Sequence, residues 1–424
     1  MNKNEKTAIA PELRFPEFCT TGEWKTCTLS GLASRITVRN QDNSVKRVLT
    51  NSAIDGVVDQ SDYFDRKVAN QNNLENYFVI DEGDYVYNPR ISATAPVGPI
   101  SKNKVGKGVM SPLYTVFRFE NPNNDFYEQY FRTNLWHSYL KNVSNIGARH
   151  DRMSISNDSF MKMPLPYHSE KEQQKIADCL SSLDDLIAAE DKKLEALKAH
   201  KKGLLQKLLP GKGKTVPEWR FPEFRGRGEW EEASFKQAFS KLQYGLNAAA
   251  KEYDGTNKYI RITDIDESSR RYLSEKAVSP DCELDDTYLV REGDILFART
   301  GASTGKTYIY TTDDGILYFA GFLIRGNVNK KYYPQFIFAQ TLSTNYEKWV
   351  AITSTRSGQP GINANEYESF MFSCPSLPEQ KKIADCLTSV DDLITEQKKR
   401  IEVLRTHKKG LMQGLFPSIE EVGE

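Results

Sequence analysis

The stretch "EQQKIADCLSSLDDLI" at residues 172–187 returns almost unchanged as "EQKKIADCLTSVDDLI" at residues 379–394. Its apolar residues fall on a 4-3 spacing, which places them on one seam of a helix. The seam runs from Ile176 and Leu180 to Leu204 and Leu208, and in the second copy from Ile383 and Leu387 to Leu411 and Leu415. A polar residue breaks it at matching places, Glu190 and Lys201 in one copy and Gln397 and Lys408 in the other. At 1.5 Å per residue each helix would span roughly 55 Å. A seam that long needs a partner, and the simplest partner is the other copy.

Outward from these helices the whole chain proves to be written twice. "PELRFPEFCTTGEW" at 11–24 matches "PEWRFPEFRGRGEW" at 217–230, and "HKKGLLQKL" at 200–208 matches "HKKGLMQGL" at 407–415. Between the anchors the similarity is weak but keeps its order: "DEGDYVYNPR" (81–90) faces "REGDILFART" (291–300). Two units imply a pseudo-two-fold molecule, since a solenoid needs at least three repeats. The expected organisation is an α+β chain with a mixed α/β domain at 1–168, a helix at 169–209, a second domain at 210–376, and a second helix with its tail at 377–424. Within the domains, residues 77–88 and 287–298 read as strand–turn–strand with Glu-Gly-Asp at the turn. Residues 125–144 and 332–353 read as amphipathic helices whose Tyr and Phe belong to the core.

At 424 residues, with 39% hydrophobic and 27% charged residues, the chain can form several packed cores. No apolar run reaches membrane-span length and the start lacks an apolar signal region, so a cytoplasmic protein is expected. The six cysteines include no C-x-x-C pair and the five histidines no H-E-x-x-H, so neither a metal site nor a disulfide framework is expected.

One motif invites an enzymatic reading. "ARTGASTGKT" (298–307) ends in Gly-Lys-Thr, as a phosphate-binding loop does. Such a loop needs four residues between its glycines and a helix after it. Here Gly301 and Gly305 enclose three, and "YIYTT" reads as a strand. A stand-alone DNA methyltransferase would need an Asn/Asp-Pro-Pro-Tyr/Phe tetrad, whereas Tyr87-Asn88-Pro89-Arg90 lacks the second proline and the aromatic. A coiled-coil scaffold without DNA contact is the other alternative.

Charge argues against the scaffold. The net charge is zero, but each half has windows without acid. Arg90 to Phe119 carries Arg90, Lys102, Lys104, Lys107 and Arg118. Ile295 to Thr312 carries Arg299 and Lys306 beside Thr300, Ser303 and Thr304. A second window holds Arg149 in the first half, and Arg356 and Gln359 in the second. Donors on small-residue loops suit phosphate contacts and groove-edge hydrogen bonds. On the helices, Asp178, Asp185 and Lys202 lie off the seam yet recur as Asp385, Asp392 and Lys409. The seam does not require that, so these six are candidates for a partner surface.

The duplicated "EQQKIADCL" and "EQKKIADCL", the "HKKGLLQKL" and "HKKGLMQGL" ends, the repeated "RFPEF" and "GDILFARTGASTGKT" together resemble the specificity subunit of type I restriction-modification systems. The resemblance covers nearly the whole chain. It implies two target recognition domains separated by two helices that pair antiparallel, each domain reading one half of a split double-stranded DNA target. It further implies docking of two methyltransferase subunits on the helices, addition of restriction subunits, and no catalytic centre in this chain. S-adenosylmethionine and ATP with magnesium are expected on the partner subunits. The first domain has "NPRISATAPVGP" where the second has "ARTGASTGKT", as expected of domains that read different sequences.

Overall fold

The computed structural model describes residues 9–63, 74–144, 151–355 and 358–419. The chain divides into two units, Met1–Glu190 with Arg400–Glu424, and Asp191–Lys399. Both repeated helices form, at Glu170–Leu208 and Leu377–Leu415, and each gives one half to each unit. Helix continues through Gly203 and Gly410.

Inside each unit the two helix halves run antiparallel, and the polar breaks in the seam are what lock them. In the first unit Lys408 donates to Asp184 at 2.5 Å and Arg400 pairs with Glu190 at 2.8 Å. In the second, Lys201 donates to Asp391 at 2.7 Å. Lys201 and Lys408 occupy matching positions of the repeat, as do Asp391 and Asp184, so one ion pair is made twice. Burial pushes the Lys408 ammonium below its ordinary value, against the upward pull of Asp184.

The repeated "RFPEF" clamps each domain to its helix. Arg14 makes a two-bond fork to Glu172, at 2.7 and 2.8 Å, and Arg220 repeats it on Glu379 at 2.7 and 2.7 Å. Both glutamates are 1% exposed. A buried carboxylate is tolerated when its lone pairs are met in this way. A short antiparallel pair closes each domain beside the clamp, Lys25–Thr28 with Pro164–Tyr167 and Glu231–Ser234 with Met371–Cys374.

Each unit is built on a four-stranded antiparallel sheet with the same strand order. In the first unit that order is Ala33–Arg35, Thr115–Phe119, Tyr85–Tyr87, Ile100–Lys102. In the second it is Phe239–Tyr244, Leu323–Val328, Asp294–Ala298, Thr307–Ile309. The third strand of each order, buried at every residue, explains the apolar run after Glu-Gly-Asp. That tripeptide is a turn with one mechanism in both copies. Gly83 and Gly293 take φ of +90° and +83°. The Asp84 and Asp294 carboxylates then accept the backbone N–H of Asp81 and Arg291, at 2.7 and 2.9 Å.

Two local expectations change. Residues 287–290 are not a strand: Asp285 caps a short 3-10 turn at Asp286–Tyr288 by accepting from Thr287 N at 2.8 Å. The aromatic helices each break in two, into Asp125–Phe131 and His137–Val143, and into Pro334–Gln340 and Thr344–Thr353. In the second unit Ser343 starts a new helix by capping Tyr346 N. Their aromatics do form the cores, Phe126, Tyr130 and Trp136 in one unit and Phe336 and Tyr346 in the other. No helix among the described residues is long and apolar enough to cross a membrane.

Candidate nucleic-acid interface

In the second unit residues 298–307 close a hairpin between Asp294–Ala298 and Thr307–Ile309, so Gly-Lys-Thr leads into a strand and the phosphate-loop reading is excluded. Ala298 N donates to Lys306 O at 2.8 Å, and Gly305 N donates back to Ala298 O at 3.0 Å. Gly305 takes φ of +86°, and a Cβ there would stand 2.5 Å from Val350. Gly305 is thus required by the protein's own backbone and packing. The buried Tyr346 and Tyr367 hydroxyls hold the hairpin from below, on Gly305 O at 3.1 Å and Ala298 O at 2.7 Å.

The two acid-free windows of this unit meet at this hairpin. Gly301 N donates to Pro360 O at 3.0 Å and Ile362 N donates to Arg299 O at 2.9 Å. The Gln359 amide nitrogen lies 3.3 Å from where a Cβ on Gly301 would be. The same joint recurs in the first unit, where Ile91 N donates to Asp151 O at 3.0 Å and Met153 N to Pro89 O at 2.9 Å. Thr300 bridges Gly361 as Arg90 bridges Arg152. Pro89 therefore stands where the second unit has Arg299. One backbone frame carries different side chains in the two units.

The electrostatics sort the predicted residues. Arg299 is half-buried with its guanidinium 4.9 Å above the exposed Tyr244 ring, and it has no carboxylate partner among the described residues. Arg90 and Lys107 are exposed and make no ion pair among the described residues. Lys102 and Lys104 are neutralised by acids from outside their window, Asp125 at 2.7 Å and Glu128 at 2.8 Å. A window free of acid in sequence is not free of it in space. Lys306 is turned inward and 7% exposed, on Glu267 at 2.6 Å and Ile265 O at 3.1 Å. The Thr304 hydroxyl is engaged with Gly301 O at 2.8 Å, while Thr300 and Ser303 are half-buried. Gln359 is exposed. Arg149 and Arg356 lie outside the described residues. Sequence reasoning passed over Tyr244, whose only signal is an aromatic at the end of a strand.

Lys306→Ala is accordingly expected to act on stability. It leaves the buried Ile265 carbonyl without its donor, while the exposed Glu267 returns to water, which costs about 1–3 kcal/mol. Thermal unfolding should shift down while the salt dependence of DNA binding keeps its slope. An unchanged melting temperature with a slope reduced by about one would instead make Lys306 a phosphate contact.

The six helix candidates, Asp178, Asp185, Lys202, Asp385, Asp392 and Lys409, are all exposed. Asp392 also lies 3.9 Å from Arg271 of its own unit. Among the described residues no cluster of His, Cys, Asp and Glu could hold a metal ion.

Two sheets of one order on a pair of antiparallel helices, with one loop joint built twice, define a duplicated recognition fold. The chain matches the type I restriction modification DNA specificity domain at residues 23–199 and again at 229–405, and it belongs to that family. It is 27% identical over 326 residues to the type I restriction enzyme MjaVIII specificity subunit of Methanocaldococcus jannaschii, covering 73% of this chain and 74% of that one. A putative MjaX specificity subunit of the same organism is 25% identical over 307 residues, covering 70% and 69%. In three dimensions the chain resembles a type I restriction-modification S subunit from M. genitalium, with a TM-score of 0.60 at 12% identity, over 97% of this chain and all of that one (100%). A chain from a structure on complex assembly and conformational transition of the type I R-M system gives 0.57 at 13%, over 93% and 97%. At such identities these two show the fold.

Proposed function

We propose that this chain is the DNA sequence-specificity subunit of a type I restriction-modification complex and carries out no catalysis itself. Each unit reads one half of a split double-stranded target. The residues proposed to face DNA are Arg299, Thr300, Ser303 and Gln359 in the second unit, and Arg90 and Lys107 in the first. The observation that carries this reading is the loop joint, one backbone frame in both units dressed with different side chains. S-adenosylmethionine, and ATP with magnesium, belong on partner subunits, and the complex works in the cytoplasm. The test is a salt-controlled gel shift of the assembled complex on target and scrambled duplexes. Equal affinity for both at physiological salt would remove the reading.

The exposed, repeated faces of the long helices are the proposed docking surface for two methyltransferase subunits, with restriction subunits joining that core. Asp178, Asp185 and Asp385 supply the cleanest probes, since Asp392 also faces Arg271. Reversing Asp185 and Asp385 to Lys should weaken co-purification with the methyltransferase subunit at least tenfold, without lowering the melting temperature of the chain. Undiminished co-purification would mean that these faces are merely solvated.

A further inference from the structure

Each unit carries a large apolar side chain at the tip of a four-residue turn, in water, beside the loop joint. In the second unit the turn is Ala320–Gly321–Phe322–Leu323, closed by Leu323 N donating to Ala320 O at 2.8 Å. In the first it is Ser111–Pro112–Leu113–Tyr114, closed by Tyr114 N donating to Ser111 O at 3.0 Å. Phe322 and Leu113 hold the same third position, and they are 63% and 59% exposed. That position ordinarily carries a small or polar residue that suits the backbone and water. A single exposed apolar residue needs no explanation. The same tip occupied twice, on turns whose other residues differ, does.

The register shows what these tips stand beside. Ala298 pairs with Leu323, so Arg299 comes opposite Phe322, and Arg299 N donates to Phe322 O at 3.1 Å. Tyr87 pairs with Thr115 in the first unit, which carries Pro89 to the level of Leu113. Pro89 has no N–H to give, so that bond is absent while the placement is kept. Both tips therefore border the loop joint proposed to read DNA.

We infer that Phe322 and Leu113 are specificity residues that each cover the C5-methyl of a thymine in the half-site of their own unit. The inference rests on the DNA-reading proposal above. An arginine beside the tip suits guanine O6 and N7, which are displayed in the major groove. The apolar feature that base edges display in the same groove is the thymine methyl. Covering it removes apolar surface of both groups from water, which an exposed Phe or Leu does not achieve alone.

The experiment exchanges thymine for uracil, which deletes that methyl and nothing else. With the assembled complex and its mapped target, each thymine is replaced in turn and affinity measured. Wild type should lose about fourfold at one thymine in each half-site, the value of one buried methyl-sized group. Phe322→Ala should bind the thymine target more weakly by at least that factor and no longer distinguish thymine from uracil in its half-site. It should still distinguish them in the other, and Leu113→Ala should show the converse. Both side chains are largely in solvent, so neither change should lower the melting temperature. A wild-type complex indifferent to every uracil overturns the inference, as does Phe322→Ala that keeps the preference, or a half-site with no T·A pair. Those results leave the DNA-reading proposal standing if the complex still selects its target. A complex that selects no target fails the larger proposal first.

Discussion

Arg299→Ala will relax the assembled complex's choice of bases in one half of its target. Arg299 is the residue of the second unit's hairpin, proposed above to face DNA, whose guanidinium rests on an aromatic face, 4.9 Å from Tyr244, with no carboxylate partner among the described residues. Its backbone is fixed on both sides, through Phe322 O and Ile362 N, so the side chain is presented from a rigid frame. A bidentate arginine–guanine contact is worth about 1–3 kcal/mol of discrimination, roughly 5- to 150-fold. The variant should bind and direct methylation at sites degenerate in one half-site and unchanged in the other. Arg299→Lys should not rescue, because a point charge cannot reproduce the two-bond fork. Methylated-base maps of cells carrying each variant report this directly. Retention of the full target by Arg299→Ala would transfer the reading role to Gln359 and Thr300.

The second large effect is expected from the helices. The paired seam is locked by Lys408–Asp184 and Arg400–Glu190 in one unit and Lys201–Asp391 in the other. Four residues inserted after Ala189, with four more after Glu402 on the facing helix, keep these pairs and nearly keep the seam's phase. They add about 6 Å of helix, close to the rise of two base pairs. The loops proposed to face DNA are untouched. Methylation should therefore leave the wild-type target and move to one with the same half-sites and a gap one or two base pairs longer. An unchanged gap would show that the helices do not set it, and altered half-site bases would show that they do more than set it.

The duplication, the helices and their pairing were legible because a coiled-coil seam is a periodic property of sequence. Its polar breaks were visible as breaks, although their partners were not. Lys201 and Lys408 could be seen to recur, but Asp391 and Asp184 lie off the 4-3 spacing and meet them only through the antiparallel register. The repeated "RFPEF" was visible as a motif and silent as chemistry, since the fork from Arg14 to Glu172 spans most of a domain. The candidate site was legible in part. Paired windows of small polar residues marked the loops, and in the second unit the fold brings the pair together. Charge was the poor guide. Lys102, Lys104 and Lys306 sit in stretches free of acid, yet each is answered by a carboxylate distant in sequence. Pairing through space decides which cations remain available, and the partner of a loop lysine has no periodicity to reveal it. Phe322 was hidden for the opposite reason: an apolar residue between two strand-like runs reads as core, and only the turn places it in water.

Two unlike readers on one chain are proposed to select one split DNA target. Sequencing of methylated bases in cells that carry this gene with its methyltransferase subunit tests it most directly, against cells in which this chain alone is deleted. Modification is predicted at a single motif of two short, different half-sites separated by a fixed gap, and its loss is predicted on deletion. A palindromic or uninterrupted motif, or a methylation pattern indifferent to the deletion, would contradict the account.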